Sequence, residues 1–357
     1  MRKLSKVKRS KNSKDHLAEE HAKYFGVMSD VEAKDVDWLW YPYIPYHGLT
    51  LIAGEPSQGK SFLTMELAAV ISNQKYWPFS EERPHGNRIL ILSAEDDDER
   101  AIAPRLDRIG ASRESIRYMK LYRKLDQKCL ELLRYEIDHF RPEAVIVDTI
   151  SAYMGADTDM NKQVEVQDFL IQLTAIARKH GLAIVIIAHL NKKVGESATH
   201  RINGSIGFVA GVRSVIIIGE DPDDGTRKAF SHAKSNWGPK GQTLIFTLEG
   251  GDRKTLPELK WVGTSDLSAD VVCKNTKNPA SRPKNERNAA CQFILDFLED
   301  AGATNWEEIK RAGARKGHTL STLVRARKEL ANERKIEQRQ KGKSVIWGLV
   351  TSEGAQE

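Results

Sequence analysis

Five short apolar runs punctuate the first two thirds of the chain: LTLIA at 49–53, ILILS at 89–93, AVIVD at 144–148, AIVIIA at 183–188 and SVIII at 214–218. Each is apolar at consecutive rather than alternate positions and rich in β-branched side chains. A strand with one wet face alternates with period two, so unbroken runs predict strands covered on both sides by helices. Between two of them Phe169, Leu170, Leu173, Ile176 and Ala177 recur at helical spacing and end at Lys179, His180 and Gly181, a helix stop. The expectation is an α/β fold, a mostly parallel sheet with helices on both faces. Residues 227–233, 243–248 and 259–262 predict later, antiparallel strands added to one edge. Trp38, Trp40, Tyr43 and Ile44, ahead of the first run, predict an aromatic lead-in that packs against the sheet.

The pattern changes on either side of this region. Residues 1–35 are polar and basic and are expected to form a largely flexible arm, with a short helix-like stretch from Leu17 to Phe25. The α/β domain is expected over 36–263. Residues 264–286, rich in Asn, Thr, Pro, Ser and Lys, predict a linker to a small unit at 287–350, with 351–357 as a tail. In that unit Ala290, Phe293, Ile294, Phe297 and Leu298 form one apolar helix face. Thr304 with Glu307 predicts a capping box for a second helix, and Thr319 or Ser321 starts a third. A hairpin turning at Gly342 follows, so the order predicts a winged helix.

Composition excludes several classes. With 40% hydrophobic and 29% charged residues, the 357-residue chain is neither disordered nor fibrous. Its three cysteines share no CxxC spacing, which argues against a zinc site or a disulfide framework. The apolar runs are strand-sized and no secretory leader is evident, so a cytoplasmic protein without a membrane span is expected. The net charge of +6 is concentrated at the ends: residues 1–14 hold seven Lys or Arg and no acid, and 282–343 are also net basic.

The candidate chemistry begins at GEPSQGKS, residues 54–61, which fits GxxxxGK[ST] and lies between an apolar strand and a helix opening with Phe62. Gly54 and Gly59 permit a tight turn, and the amides of Glu55, Pro56, Ser57, Gln58 and the following residues are read as a phosphate cradle at a helix N-terminus, with proline contributing shape only. Lys60 neutralises the β and γ phosphates of ATP, and Ser61 places its hydroxyl on Mg²⁺. A metal on a triphosphate also needs a carboxylate at a neighbouring strand end, which Asp148 supplies. Hydrolysis needs a group that polarises water. Glu95 in SAEDDDER is the candidate, with Asp96, Asp97 and Asp98 as competitors. His189 closes another strand and is read as a γ-phosphate sensor.

Together GEPSQGKS, SAED, IVDT, IAHLNK, NGSIGFVAGVRSVII and KSNWGP resemble the RecA-like ATPases close to the RepA-type plasmid replicative helicases, with the likeness covering about residues 36–250. The resemblance implies Lys60 and Ser61 as the P-loop pair, Asp148 as the Walker B acid, Glu95 as the catalytic glutamate and His189 as the sensor. It also implies a hexameric ring in which Arg213 reaches in trans into the neighbour's site. DnaB-like relatives often carry Lys-x-Arg before the Gly-Pro turn; here that stretch runs from Lys234 to Pro239, leaving Lys234 as a second trans candidate.

The expected partner is DNA. Single strands would meet Lys192, Lys193 and Arg201 in the polar loop 192–207, and duplex would meet Arg325, Arg327, Lys328, Lys341 and Lys343 of the C-terminal unit. The leading expectation is therefore a DNA-stimulated Mg-ATP motor, a replicative helicase or translocase of a plasmid, phage or mobile element. The alternative is an ATP-switched DNA-binding adaptor or regulator without unwinding, and a small-molecule kinase fits the strand-ending His189 and the winged helix less well.

Overall fold

The computed structural model describes residues 17, 20–154, 162–191, 197–202, 206–252, 255–273, 284–341 and 344–350. The chain divides into two compact units, Met1–Lys274 and Asn275–Glu357.

The first unit opens with a two-stranded ribbon, β1 (Trp38–Trp40) and β2 (Ile44–Pro45), and is built on a nine-stranded sheet whose strands lie in the spatial order 258–265, 243–249, 224–235, 214–221, 49–54, 183–189, 144–148, 89–93 and 116–118. The five apolar runs become β3 (Leu49–Gly54), β4 (Ile89–Ser93), β6 (Ala144–Asp148), β7 (Ala183–His189) and β8 (Ser214–Asp221), paired in parallel as their continuous burial predicts. A three-residue strand, β5 (Ile116–Tyr118), closes the edge beside β4. At the other edge β9 (Asp224–Ser235), β10 (Thr243–Glu249) and β11 (Glu258–Ser265) run antiparallel.

Two apolar layers flank the sheet. Leu49, Leu51 and Ala53 of β3 join one, with the helices Gln127–Phe140 and Gln163–His180; Ile52 joins the other, with the helix Lys60–Ser72. The aromatic lead-in packs in this second layer: Trp40 is 1% exposed and stacks on Trp77 and Phe230, with ring centroids 5.0 and 5.3 Å away. The helix Gln163–His180 stops at Gly181 in the left-handed region, φ 67°, as its sequence predicts. This is the RecA-like α/β architecture that the resemblance implies.

The expected linker starts too early. β11 runs to Ser265 and a short helix, Ala269–Cys273, buries Ala269, Val272 and Cys273 in the core of the first unit, because VVC supplies apolar groups inside an otherwise polar stretch. Residues 20–24 of the arm are helical, and described positions 20–37 are all exposed.

The second unit has its own core of Ala290, Ile294, Leu298, Ile309, Leu323, Ala326, Leu330 and Ile336. Helices Lys284–Ala301, Trp306–Arg315 and Leu320–Asn332 pack with a three-stranded antiparallel sheet of β12 (Thr304–Asn305), β13 (Ile336–Lys341) and β14 (Ser344–Leu349). The helix cap sits one residue later than expected: Asn305 is the N-cap, and its side chain accepts the amide of Glu308 at 2.9 Å.

Candidate functional site

Parallel strands bring their carboxyl ends to one edge of the sheet, and the order of β3, β7, β6 and β4 gathers there the residues that the motifs single out. Gly54 pairs with His189 on one side and Ile218 on the other; Asp148 pairs with Ser93, two residues before Glu95. The phosphate-loop glycines are required by geometry. A Cβ on Gly54 would stand 2.7 Å from the Ile218 carbonyl oxygen, and Gly59 caps the following helix at φ 89°. That helix runs thirteen residues, so its first-turn amides and macrodipole face the loop.

Lys60 is 6% exposed, and its ammonium donates to the carbonyl oxygens of Gly54 at 2.9 Å and Glu55 at 2.8 Å. Burial pulls its pKa down to about 8, against the opposing pull of Asp148, Glu95 and Glu55. Asp148 is also 6% exposed. Burial first, then the charges of Glu95 and Asp96, push it up to about 7, with Lys60 and a hydrogen bond from Ser61 acting the other way. Both groups thus sit where their charged forms lack solvation.

The acidic run after β4 is sorted by its partners. Glu95 Oε1 accepts from Thr149 Oγ1 at 3.0 Å and lies 3.6 Å from His189 Nε2. Asp96 is tied to Arg105 at 2.5 Å, and Asp97 caps the next turn by accepting the Arg100 amide at 2.6 Å. Of Glu95, Asp96 and Asp97, Glu95 is therefore the one held by groups of the loop edge. Thr149, 1% exposed, closes IVDT, but its contact with Glu95 appears only when β4 and β6 are paired; Arg105 carries no motif of its own and escapes sequence reasoning.

The arrangement fits a nucleotide triphosphate and a divalent ion. The Gln58 Oε1 and His189 Nδ1 atoms are buried without a protein partner, and the Lys60 ammonium rests on backbone carbonyls that anionic oxygens can replace. Among the described residues no three His, Cys, Asp or Glu side chains form a metal-binding set, so an ion beside Ser61 and Asp148 would depend on phosphate oxygens and water for its other ligands.

Other candidates lie elsewhere. Arg213 donates its amide to Leu49 O at 2.9 Å, at the opposite end of β3 from the phosphate loop, and its guanidinium covers the Trp237 ring at 5.2 Å. Lys234 lies at the same end; its ammonium donates to the Val209 and Val212 carbonyls at 2.5 and 3.1 Å, around the end of the helix Ile206–Gly211. Arg201 was expected to track single-stranded DNA but is 2% exposed and pairs with Glu55 at 2.7 Å, because buried carbonyls and that carboxylate engage its two terminal nitrogens, while Nε is buried without a partner. In the second unit, Arg327 was expected to face phosphate; it is instead stacked between Trp306 and Trp347, its Cζ 4.2 and 4.8 Å from the ring centroids. Arg325 is half-buried and Lys328 exposed. Lys192, Lys193 and Lys343 lie outside the described residues, as does the side chain of Lys341. Among the described residues no helix is long and apolar enough to cross a membrane.

Comparison with known proteins gives an independent line. Residues 25–195 match the AAA domain family. A Streptococcus pyogenes serotype M6 protein named DNA repair protein RadA is 23% identical over 273 residues, covering 69% of this chain and 51% of that protein. Proteins of the same name from Bacillus subtilis strain 168 and Mycobacterium tuberculosis H37Rv are 27% and 26% identical, covering 41% and 56% of this chain and 28% and 37% of their own lengths. The chain spans about half the length of the first of these relatives. The parallel sheet and the match to the AAA domain family agree on a RecA-like α/β architecture.

Proposed function

We propose, from the premise that this chain carries a P-loop ATPase domain, that it hydrolyses Mg-ATP in a DNA-stimulated cycle as a ring-forming helicase or translocase. The observation that carries this reading is the meeting of Lys60, Asp148 and Glu95 at one sheet edge, with Glu95 oriented by Thr149 and near His189. In this reading Lys60 and the loop amides bind the phosphates, and Ser61 and Asp148 hold Mg²⁺, which supplies charge neutralisation at the transferred phosphoryl group. Glu95 accepts a hydrogen bond from the attacking water and draws off its proton, Thr149 keeps that carboxylate in place, and His189 reports the γ-phosphate to the segment after β7. Arg213 and Lys234 are far along the strands from their own loop, which suits a role in a neighbouring subunit's site. RadA is named as a DNA repair protein, and the C-terminal unit, read as a winged helix, supplies a second route to DNA, with Lys328 the exposed candidate for phosphate.

One observation favours the adaptor reading: the Lys234 ammonium is occupied by two carbonyls and Arg213 is stacked on Trp237, so both would have to leave these partners to act in trans. Measuring ATP turnover with and without single-stranded DNA, with native mass on the same sample, separates the two. Stimulated turnover by an oligomer supports the motor. Tight duplex binding with unstimulated, negligible turnover supports the adaptor.

A further inference from the structure

Arg201 is among the largest fully buried side chains of the protein, and it is charged. Its Nη2 donates to Glu55 Oε1 at 2.7 Å and to the Asn191 carbonyl at 2.9 Å; its Nη1 donates to the Cys273 carbonyl and lies 3.4 Å from Cys273 Sγ. The backbone closes the same joint, since the Asn191 amide donates to the Arg201 carbonyl at 2.6 Å. The stretch carrying Arg201 is anchored separately, by the Ala198 amide on Asp270 Oδ1 at 2.8 Å. One guanidinium therefore links three elements: the phosphate loop, the exit of β7 two residues past His189, and the helix Ala269–Cys273.

Burying an ion pair costs desolvation that its attraction barely offsets, so fold stability alone does not account for one here. Its placement does. Glu55 is the second residue of the phosphate loop, its side chain is 23% exposed, and its own carbonyl accepts the Lys60 ammonium at 2.8 Å. A force on the Glu55 side chain is thus one hydrogen bond from the group that meets the phosphates. The planar fork of arginine can hold the carboxylate and two carbonyls at once, which the point charge of lysine cannot.

We propose that Arg201 is a positioning residue for the nucleotide: acting through Glu55, it sets the start of the phosphate loop and locks it to the exit of β7. This rests on the ATPase reading above. The test measures the Kd for a fluorescent ADP, mant-ADP, in magnesium buffer for the full chain and for R201Q, R201K, E55Q and R201Q/E55Q, alongside thermal unfolding. R201Q and E55Q are each expected to weaken binding about tenfold, the double variant no more than the weaker-binding single one, and R201K to recover part of the loss. A purely structural arginine would lower Tm without this shared, non-additive loss of affinity. Should R201Q fail to fold, E55Q alone decides, since Glu55 is partly exposed: unchanged affinity there overturns the proposal. Effects of the two substitutions that simply add overturn it too. Wild-type chain that retains no mant-ADP overturns the ATPase reading and this proposal together, whereas wild-type binding with an unaffected E55Q overturns this proposal alone.

Discussion

Lowering the pH from 7 to 5 should weaken the first unit through His232. This imidazole is 4% exposed, and its tautomer is fixed by its neighbours. The Gly241 amide donates to Nδ1 at 2.9 Å, so the ring proton is on Nε2, 3.0 Å from Ser214 Oγ, which in turn donates to the Tyr43 carbonyl at 2.6 Å. A second proton would have to enter at Nδ1, against an N–H that already points there. Burial, with Lys240 adding to it and a backbone contact at Lys234 opposing, lowers the pKa from 6.5 to about 4. The sign follows: a depressed histidine favours the fold fully above pH 6.5 and loses that contribution as pH falls toward 4. Between pH 7 and pH 5 the loss is about 2 kcal/mol, or roughly 4–8 °C in Tm for a unit of this size. Urea unfolding of the full chain at both pH values, compared with His232→Asn, isolates it, because Asn can accept from Gly241 but does not titrate. The wild type should lose about 2 kcal/mol more than the variant on acidification. Equal losses, or an imidazole titrating near 6.5 by NMR, would refute the reasoning. The same strand carries Lys234, and Ser214 follows Arg213, so the ledge bearing both trans candidates should loosen in the same window.

Glu95→Gln should keep nucleotide affinity and lower turnover by about 10²-fold or more, read by steady-state phosphate release; unchanged turnover would pass the role to another group. If Arg213 acts in trans, mixing Lys60→Ala with Arg213→Ala chains should restore turnover that neither has alone, and a mixture as inactive as its parts argues against it. Arg327→Ala should destabilise the second unit by about 1–3 kcal/mol through loss of the double indole stack, seen as faster amide exchange in helix Leu320–Asn332; a change under about 0.5 kcal/mol would contradict that packing role.

The strands that build the site were legible because burial on both faces leaves an unbroken apolar run, and the phosphate loop because tight backbone geometry leaves glycines at fixed spacing. β5 leaves neither mark: it is three residues long, lies at the sheet edge and exposes Arg117 and Tyr118. The helix Gln127–Phe140 buries Cys129, Leu130, Leu133, Ile137 and Phe140 but bears no chemical motif to draw notice. Arg201 and Arg327 show what composition hides. Each looked like a cation seeking phosphate, and each instead meets partners that sequence cannot place nearby: Glu55 lies 146 residues before Arg201, and two tryptophans flank Arg327 from either side in the chain. For Glu95, sequence narrowed the choice to four acids, and the pairing of Asp96 with Arg105 and of Asp97 with the Arg100 amide distinguishes it from two of them.

The central claim is that Lys60 and Asp148 hold opposite sides of a metal-bound triphosphate. Calorimetric titration of the wild type, Lys60→Ala and Asp148→Asn with a non-hydrolysable ATP analogue, with magnesium and with EDTA, tests it most directly. The account predicts binding by the wild type that strengthens in magnesium, loss of binding in Lys60→Ala, and an Asp148→Asn chain whose affinity no longer responds to magnesium. A Lys60→Ala chain that binds the analogue as tightly as the wild type would contradict it.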